Sequence, residues 1–150
     1  MIDSTIVRAH QHNAGAQKKT MVSTKINATV DALGNPTSFC LTPGQACDLA
    51  GSDILLPLLE AKTILADKEY DAEDRILKPL REAGKGFVIP SRKCRKQQRP
   101  FDKALYEARY LIENFFFRLK QYRAIATRYD KTARNFLAAV HLAATVIWLN

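Results

Sequence analysis

Apolar and polar positions recur along the chain with two different periods, and the switches between them divide it into elements. Residues 2–9 (IDSTIVRA) carry the β-branched Ile2, Thr5, Ile6 and Val7 and read as a strand. Residues 10–19 are polar around Gly15 and read as a loop. Residues 22–30 (VSTKINATV) alternate well enough for a second strand, and Gly34-Asn35-Pro36 is a turn signal. Residues 37–41 then read as a third strand closing a hairpin, which Thr42-Pro43-Gly44 ends.

Beyond the hairpin the pattern alternates between helix and strand. Ser52 or Asp53 can cap a short helix through Ala61, with Pro57 limiting how regular it is. Residues 62–66 (KTILA) look like a short buried strand. Residues 71–83 (DAEDRILKPLREA) put acids first, bases later and Gly84 after them, so a helix is predicted there with a kink at Pro79. Residues 86–90 (GFVIP) form another strand. Pro100 and Asp102 open the longest helical stretch, residues 103–122, and a further helix runs from residue 131 to the end. This order predicts an α/β fold: one mixed sheet with flanking helices and a long helical C-terminal part.

A chain of 150 residues fits a single domain, and its 47% apolar and 25% charged composition is ordinary for a globular protein. The charge is less ordinary, at +8 with 23 Lys and Arg against 15 Asp and Glu. Between Lys85 and Arg134 there are 14 basic and 4 acidic residues, while the remainder holds 9 basic and 11 acidic. Such asymmetry suits a polyanion on one side of the molecule, and equally a solvated basic face. Arg92, Lys93, Arg95, Lys96 and Arg99 concentrate it in one loop. Cys40, Cys47 and Cys94 have neither disulfide-framework nor zinc-site spacing and read as reduced thiols of a cytosolic protein. No signal peptide is read at the start, and the apolar run 136–149 falls short of the roughly 20 residues of a membrane span.

Three carboxylates stand out. Asp3 lies on the first strand, and Asp67 follows the KTILA strand, where a side chain can point into a shared site or merely close a turn. Glu113 sits in the apolar stretch Leu111 to Phe117. At about 100° per residue, Tyr106, Arg109, Glu113 and Lys120 fall within roughly 60° of one helix face. That stripe could meet a phosphate and a metal together, or contain only an exposed Arg109–Glu113 pair. His10 and His12 lack a third ligand at suitable spacing and read as surface residues. His141 reads as a core histidine, and Trp148 and Phe115 to Phe117 as packing against the sheet. Ser4 has no histidine and acid arranged for a triad.

The spacing of Tyr106, Arg109, Glu113 and Lys120 resembles the Y-R-E-K signature of bacterial insertion-sequence DDE transposases. Asp3 in Ile2-Asp3-Ser4-Thr5 and Asp67 in Ala66-Asp67-Lys68-Glu69 resemble that family's first two catalytic aspartates. Thr24-Lys25, residues 30–36, residues 41–45, Val88-Ile89-Pro90 and residues 124–131 also look familial, so the likeness runs nearly end to end. The resemblance implies an RNase H-like catalytic domain over residues 1–150, with Asp3 and Asp67 on adjacent strands and Glu113 reaching them from a helix. It implies catalysis and binding of two Mg²⁺ or Mn²⁺ ions by Asp3, Asp67 and Glu113, since clustered carboxylates need cations between them. It further implies double-stranded DNA as partner (transposon ends and target), self-association on that DNA, a cytoplasmic location and no membrane. Tyr106, Arg109 and Lys120, with the loop Arg92, Lys93, Arg95, Lys96 and Arg99, are then the DNA-binding candidates.

The chain departs from the family's pattern at several places. A Gly- and Arg-rich stretch usual before Thr24-Lys25 is missing after Gly15, Asn27 stands where His is usual, and Glu69 where Gly is usual. The upstream helical DNA-binding part of family members is also absent before Asp3, as in a second-reading-frame product or a decaying copy. The reading is therefore a transposase whose isolated residues 1–150 are inactive or weak; the alternative is a catalytically dead remnant that only binds DNA.

Overall fold

The computed structural model describes residues 1–10 and 23–150. The expected loop from His10 onward, with His12 and the shortened stretch after Gly15, lies almost wholly outside those residues. Strand β1 (Ile2–Ala9) has the predicted bounds. It pairs antiparallel with β2 (Ser23–Val30), which pairs antiparallel with β3 (Pro36–Pro43). The β-branched run of β2 suits a central strand, and all its residues after Ser23 are buried because helices cover both faces. A two-residue strand, β6 (Thr127–Arg128), pairs parallel with the far end of β1 at Arg8 and Ala9. The main sheet is thus mixed, in the order β3-β2-β1-β6, and the α/β class is as expected.

A single continuous sheet is not what forms. Strands β4 (Thr63–Leu65) and β5 (Gly86–Val88) make a separate parallel pair. Strand β4 is not a ladder neighbour of β1, so Asp3 and Asp67 do not lie on adjacent hydrogen-bonded strands. A three-residue strand offers few ladder groups, and β4 meets β1 through side chains instead: Ile2, Ile64 and Ala66 share one buried cluster.

The helices also depart from expectation. Helix α1 (Asp48–Leu55) starts earlier than Ser52 or Asp53 and stops short of Ala61. Ser52 is inside it, its hydroxyl donating back to the Leu49 carbonyl at 2.8 Å, and Pro57 turns the chain into a 3₁₀ segment, Leu56–Leu58. The helix expected over residues 71–83 begins instead as a π turn, Glu73–Leu77, followed by α2 (Lys78–Glu82). Pro79 crowds the carbonyl one turn back and has no N–H to give, which favours widening that turn.

The long stretch 103–122 is broken in two, α3 (Lys103–Glu107) and α4 (Tyr110–Gln121). Between them Arg109 N–H bonds to the Tyr106 carbonyl at 3.0 Å and Ile112 N–H to that of Arg109 at 3.2 Å, the i→i−3 pattern of a 3₁₀ turn. A short α5 (Arg123–Ala126) leads to β6, and α6 (Ala133–Leu149), capped by Thr132, ends the fold. Ile112, Phe115, Phe116 and Leu119 of α4 bury against β2 and α6 at helical spacing, each worth about 1.5–3 kcal/mol. That packing fixes the face on which α4 presents its neighbouring positions.

The aromatic residues are only partly core. Phe115 and Phe116 are buried, but Phe117 and Trp148 are 69% and 62% exposed, against expectation. His141 is exposed too, edge-on to Phe39 at 5.1 Å. Helix α6 is apolar nearly all round, and the sheet covers only the stripe through Phe136, Val140, Ala143 and Ile147.

Candidate active site

Side chains alternate along β1, so Asp3 shares the face of Val7, which packs in the cluster under α4 and α6. Its Oδ1 accepts the N–H of Ser4 at 2.8 Å. Asp67 leaves β4 and caps the 3₁₀ turn Lys68–Tyr70, accepting the Lys68 N–H. The turn-closing role open at the sequence level is therefore real, yet the other carboxylate oxygen of Asp67 faces outward to Arg109. Glu113 stands in the first turn of α4, more than half exposed.

Arg109 joins the three. Its Nη2 lies 2.5 Å from Glu113 Oε1 and 3.7 Å from Asp3 Oδ2, and its Nη1 lies 3.5 Å from Asp67 Oδ2. The Arg109 side chain is only 13% exposed. Nη1, although buried, has no hydrogen-bond acceptor; its approach to Asp67 is an ion-pair contact without hydrogen-bond geometry. Tyr106 completes the group: its hydroxyl donates a long 3.5 Å hydrogen bond to Asp67 Oδ1, and its ring lies 5.7 Å from the guanidinium carbon.

The electrostatics follow from crowding. Burial pushes the Asp3 carboxyl above the usual carboxylate range, opposed by the Ser4 N–H and Arg109 and reinforced by Asp67 and Asp48. Burial alone would weaken the charge on Arg109, but Glu113, Asp3 and Asp67 together raise its pKa further. Burial also pushes the Tyr106 phenol up, so it remains a donor.

Residues 1–149 match the family described as the transposase DDE domain. The chain belongs to that family. It is 38% identical over 132 residues to a curated Brucella ovis protein carrying the provisional name of transposase for insertion sequence element IS6501, a match covering 85% of this chain and 99% of that relative. No solved structure matches it.

Within this transposase domain the other signalled residues are placed unevenly. Lys120 is exposed on α4, about 10 Å along the axis from Glu113 at 1.5 Å per residue. Because of the 3₁₀ break, Tyr106 is on a different helix from Glu113, and the single stripe read from the sequence is really two segments meeting at Arg109. In the basic loop Arg95 and Arg99 fork onto the buried Asp71 at 2.7 and 2.6 Å, with Glu73 as a second partner. Arg92 turns onto the carbonyls of Lys68 and Glu69. Lys93 and Lys96 are exposed. Glu69, the carboxylate standing where the family usually has Gly, lies 3.6 Å from Arg92.

Two features were missed at the sequence level. Lys25, nearly buried on β2, donates to Asp48 Oδ1 and the Ala46 carbonyl, each at 2.6 Å, and Ser4 donates to the same Asp48 oxygen at 2.7 Å. A lysine inside a strand otherwise buried on both faces was the signal available. Asn27, also buried, donates to Thr42 at 3.0 Å, and Gly51 of α1 lies flat on it: a Cβ there would come within 2.1 Å of Asn27 Oδ1.

A divalent cation can be weighed against this arrangement. The donors are hard carboxylate oxygens of the kind Mg²⁺ and Mn²⁺ take, and they already share one cation, the guanidinium. Among the described residues no three acid, histidine or cysteine groups stand close enough to grip a bare ion directly. The spacing is the width of a guanidinium. Among the described residues, too, no helix is long and apolar enough to cross a membrane.

Proposed function

We propose that residues 1–150 form an RNase H-like catalytic domain of an insertion-sequence transposase, which cleaves DNA phosphodiesters and transfers the cut strand. Asp3, Asp67 and Glu113 would hold two Mg²⁺ or Mn²⁺ ions. The observation that carries this reading is the convergence of three carboxylates, from a strand, a strand end and a helix, on one guanidinium. Strand order β3-β2-β1 with an acid on β1 supports the RNase H-like assignment. Bound divalent ions would activate a water or 3′-hydroxyl and stabilise the leaving oxygen.

The chain's own groups would do the rest. Asp3 and Asp67 are anchored through one oxygen each by a neighbouring backbone N–H, leaving the second oxygen for a ligand. Arg109 Nη1, a buried donor without an acceptor, suits an oxygen of the scissile phosphate, and Tyr106 orients Asp67 while supporting the guanidinium. Lys93, Lys96 and Lys120 are free to meet the backbone of double-stranded DNA, both transposon ends and target, on which the protein self-associates. Its working place is the bacterial cytoplasm.

The test is Mn²⁺-dependent nicking and joining of labelled DNA carrying the element's own ends, with an upstream segment of the same element supplied in fusion. Asp3→Asn, Asp67→Asn and Glu113→Gln should each abolish both steps while melting cooperatively. Cleavage that survives two of these substitutions would sink the reading.

A further inference from the structure

We propose that Arg109 is an exchangeable counter-ion: in the metal-free protein its guanidinium holds Asp3, Asp67 and Glu113 together, and an incoming divalent cation takes its place and releases it. This rests on the reading of the three acids as metal ligands and adds a mechanism for loading them. The contacts make the two occupants exclusive. Nη2 lies against Asp3 Oδ2 and Glu113 Oε1, and Nη1 faces Asp67 Oδ2, so the guanidinium fills the space among the oxygens that an ion would use. An ion at about 2.0–2.1 Å from those oxygens would collide electrostatically with a cation already resting on them.

Charge and geometry both favour the exchange. One guanidinium leaves three carboxylates with two uncompensated negative charges, and a divalent ion in its place leaves only one. The acids are held a guanidinium apart, and among the described residues no trio is already closed around an ion. Loading therefore requires the group to contract as the arginine leaves. Arg109 also sits where the backbone can yield, in the 3₁₀ break between α3 and α4, a common place for a hinge. The ring of Tyr106 beside it gives the departing guanidinium an aromatic face.

The consequence is a site that stays partly compensated and assembled without metal and frees a phosphate-binding arginine only when metal has arrived. Binding alone tests it, without DNA or turnover. Mn²⁺ titrations followed by electron paramagnetic resonance should show Arg109→Gln binding the ion more tightly than the unmodified protein. If the latched arrangement holds about nine-tenths of the population, the gain is about tenfold. The unmodified protein supplies the second measurement: Mg²⁺ titration should move or broaden the ¹⁵Nε signal of Arg109 in step with metal occupancy.

Asp67→Asn separates the failures. If it removes Mn²⁺ binding while Arg109→Gln leaves the affinity unchanged or weaker, the acids bind metal and the exchange is wrong. An Arg109 signal that stays fixed at saturating Mg²⁺ overturns the exchange as well. If Asp67→Asn and Glu113→Gln both keep full Mn²⁺ affinity, the metal-site reading itself fails and the exchange falls with it.

Discussion

Asp71 and Arg99, 28 residues apart, form a 2.6 Å ion pair in which the aspartate side chain is wholly buried. Arg95 reaches the same carboxylate at 2.7 Å, and the Arg92 N–H donates to it at 2.8 Å. A basic loop that looks in sequence like a strip of phosphate contacts is thus partly fastened inward. Asp71 supplies the anchor.

Asp71→Asn should therefore destabilise the protein, on the order of 3 kcal/mol, because two arginines lose a buried anion. The pH dependence fixes the sign. Burial acts to raise the Asp71 pKa, but the Arg92 N–H, Arg99 and Arg95 outweigh it and hold the carboxyl below its usual range. A depressed carboxyl contributes stability that is fully present above its unfolded pKa, about 3.9, and is lost as pH falls through the folded one. Urea melts at pH 7 should show the full deficit, and melts below that range should show it shrinking towards zero. A deficit independent of pH would mean that packing, not charge, carries the effect.

The same division splits the loop's response to DNA. Lys93→Ala with Lys96→Ala should flatten the slope of log affinity against log salt by about two units, near 0.9 for each phosphate no longer neutralised, with no change in melting. Arg95→Ala with Arg99→Ala should instead lower the melting temperature first. Equal slope changes from both pairs would show that the arginines leave Asp71 when DNA binds.

These two behaviours mark the limit of what the linear chain discloses. Strand β1 was legible to its last residue because β-branched residues fill it, and the hairpin because Gly34-Asn35-Pro36 announces its turn. Helix α1 was misplaced because its N-cap, Cys47, makes no side-chain bond that a capping rule could find. The break at Arg109 leaves the backbone in right-handed helical dihedrals and so leaves no Gly or Pro to read. Glu113 and Arg109 could be nominated from the spacing of Tyr106, Arg109, Glu113 and Lys120, and Asp3 and Asp67 from their own short motifs. The bridge that Arg109 makes among the three acids could not, since that depends on where two strands end. Nor does charge along a sequence tell a phosphate contact from a buried partner such as Asp71.

Asp3 should behave oppositely to Asp71. Burial raises its pKa, so its ionised form is disfavoured in the folded protein, and the penalty is present at neutral pH and relieved as pH falls below the raised value. In the presence of a chelator at pH 7, Asp3→Asn should melt higher than the unmodified protein, since the amide oxygen can still accept the Ser4 N–H. The difference should vanish in acid. A lower melting temperature at pH 7 would mean that the ion pair with Arg109 outweighs burial.

Glu113 and Tyr106 separate a ligand from its support. Glu113→Gln keeps the shape and the place in α4, where Ile112 and Phe116 hold the helix on the core, so folding should be intact. It removes a full negative charge from the group around Arg109. Tyr106→Phe keeps the ring beside Arg109 and removes only the 3.5 Å hydrogen bond to Asp67. Outer partners of a metal site typically change affinity or activity by about 10- to 100-fold. Tyr106→Phe should fall inside that range for Mn²⁺-dependent cleavage, and Glu113→Gln should exceed it and also lose Mn²⁺ binding. Single-turnover cleavage rates beside Mn²⁺ titrations would make the comparison. Equal losses in the two variants, with Mn²⁺ binding retained in both, would make Glu113 a support of Arg109 and leave Asp3 and Asp67 to hold the ion.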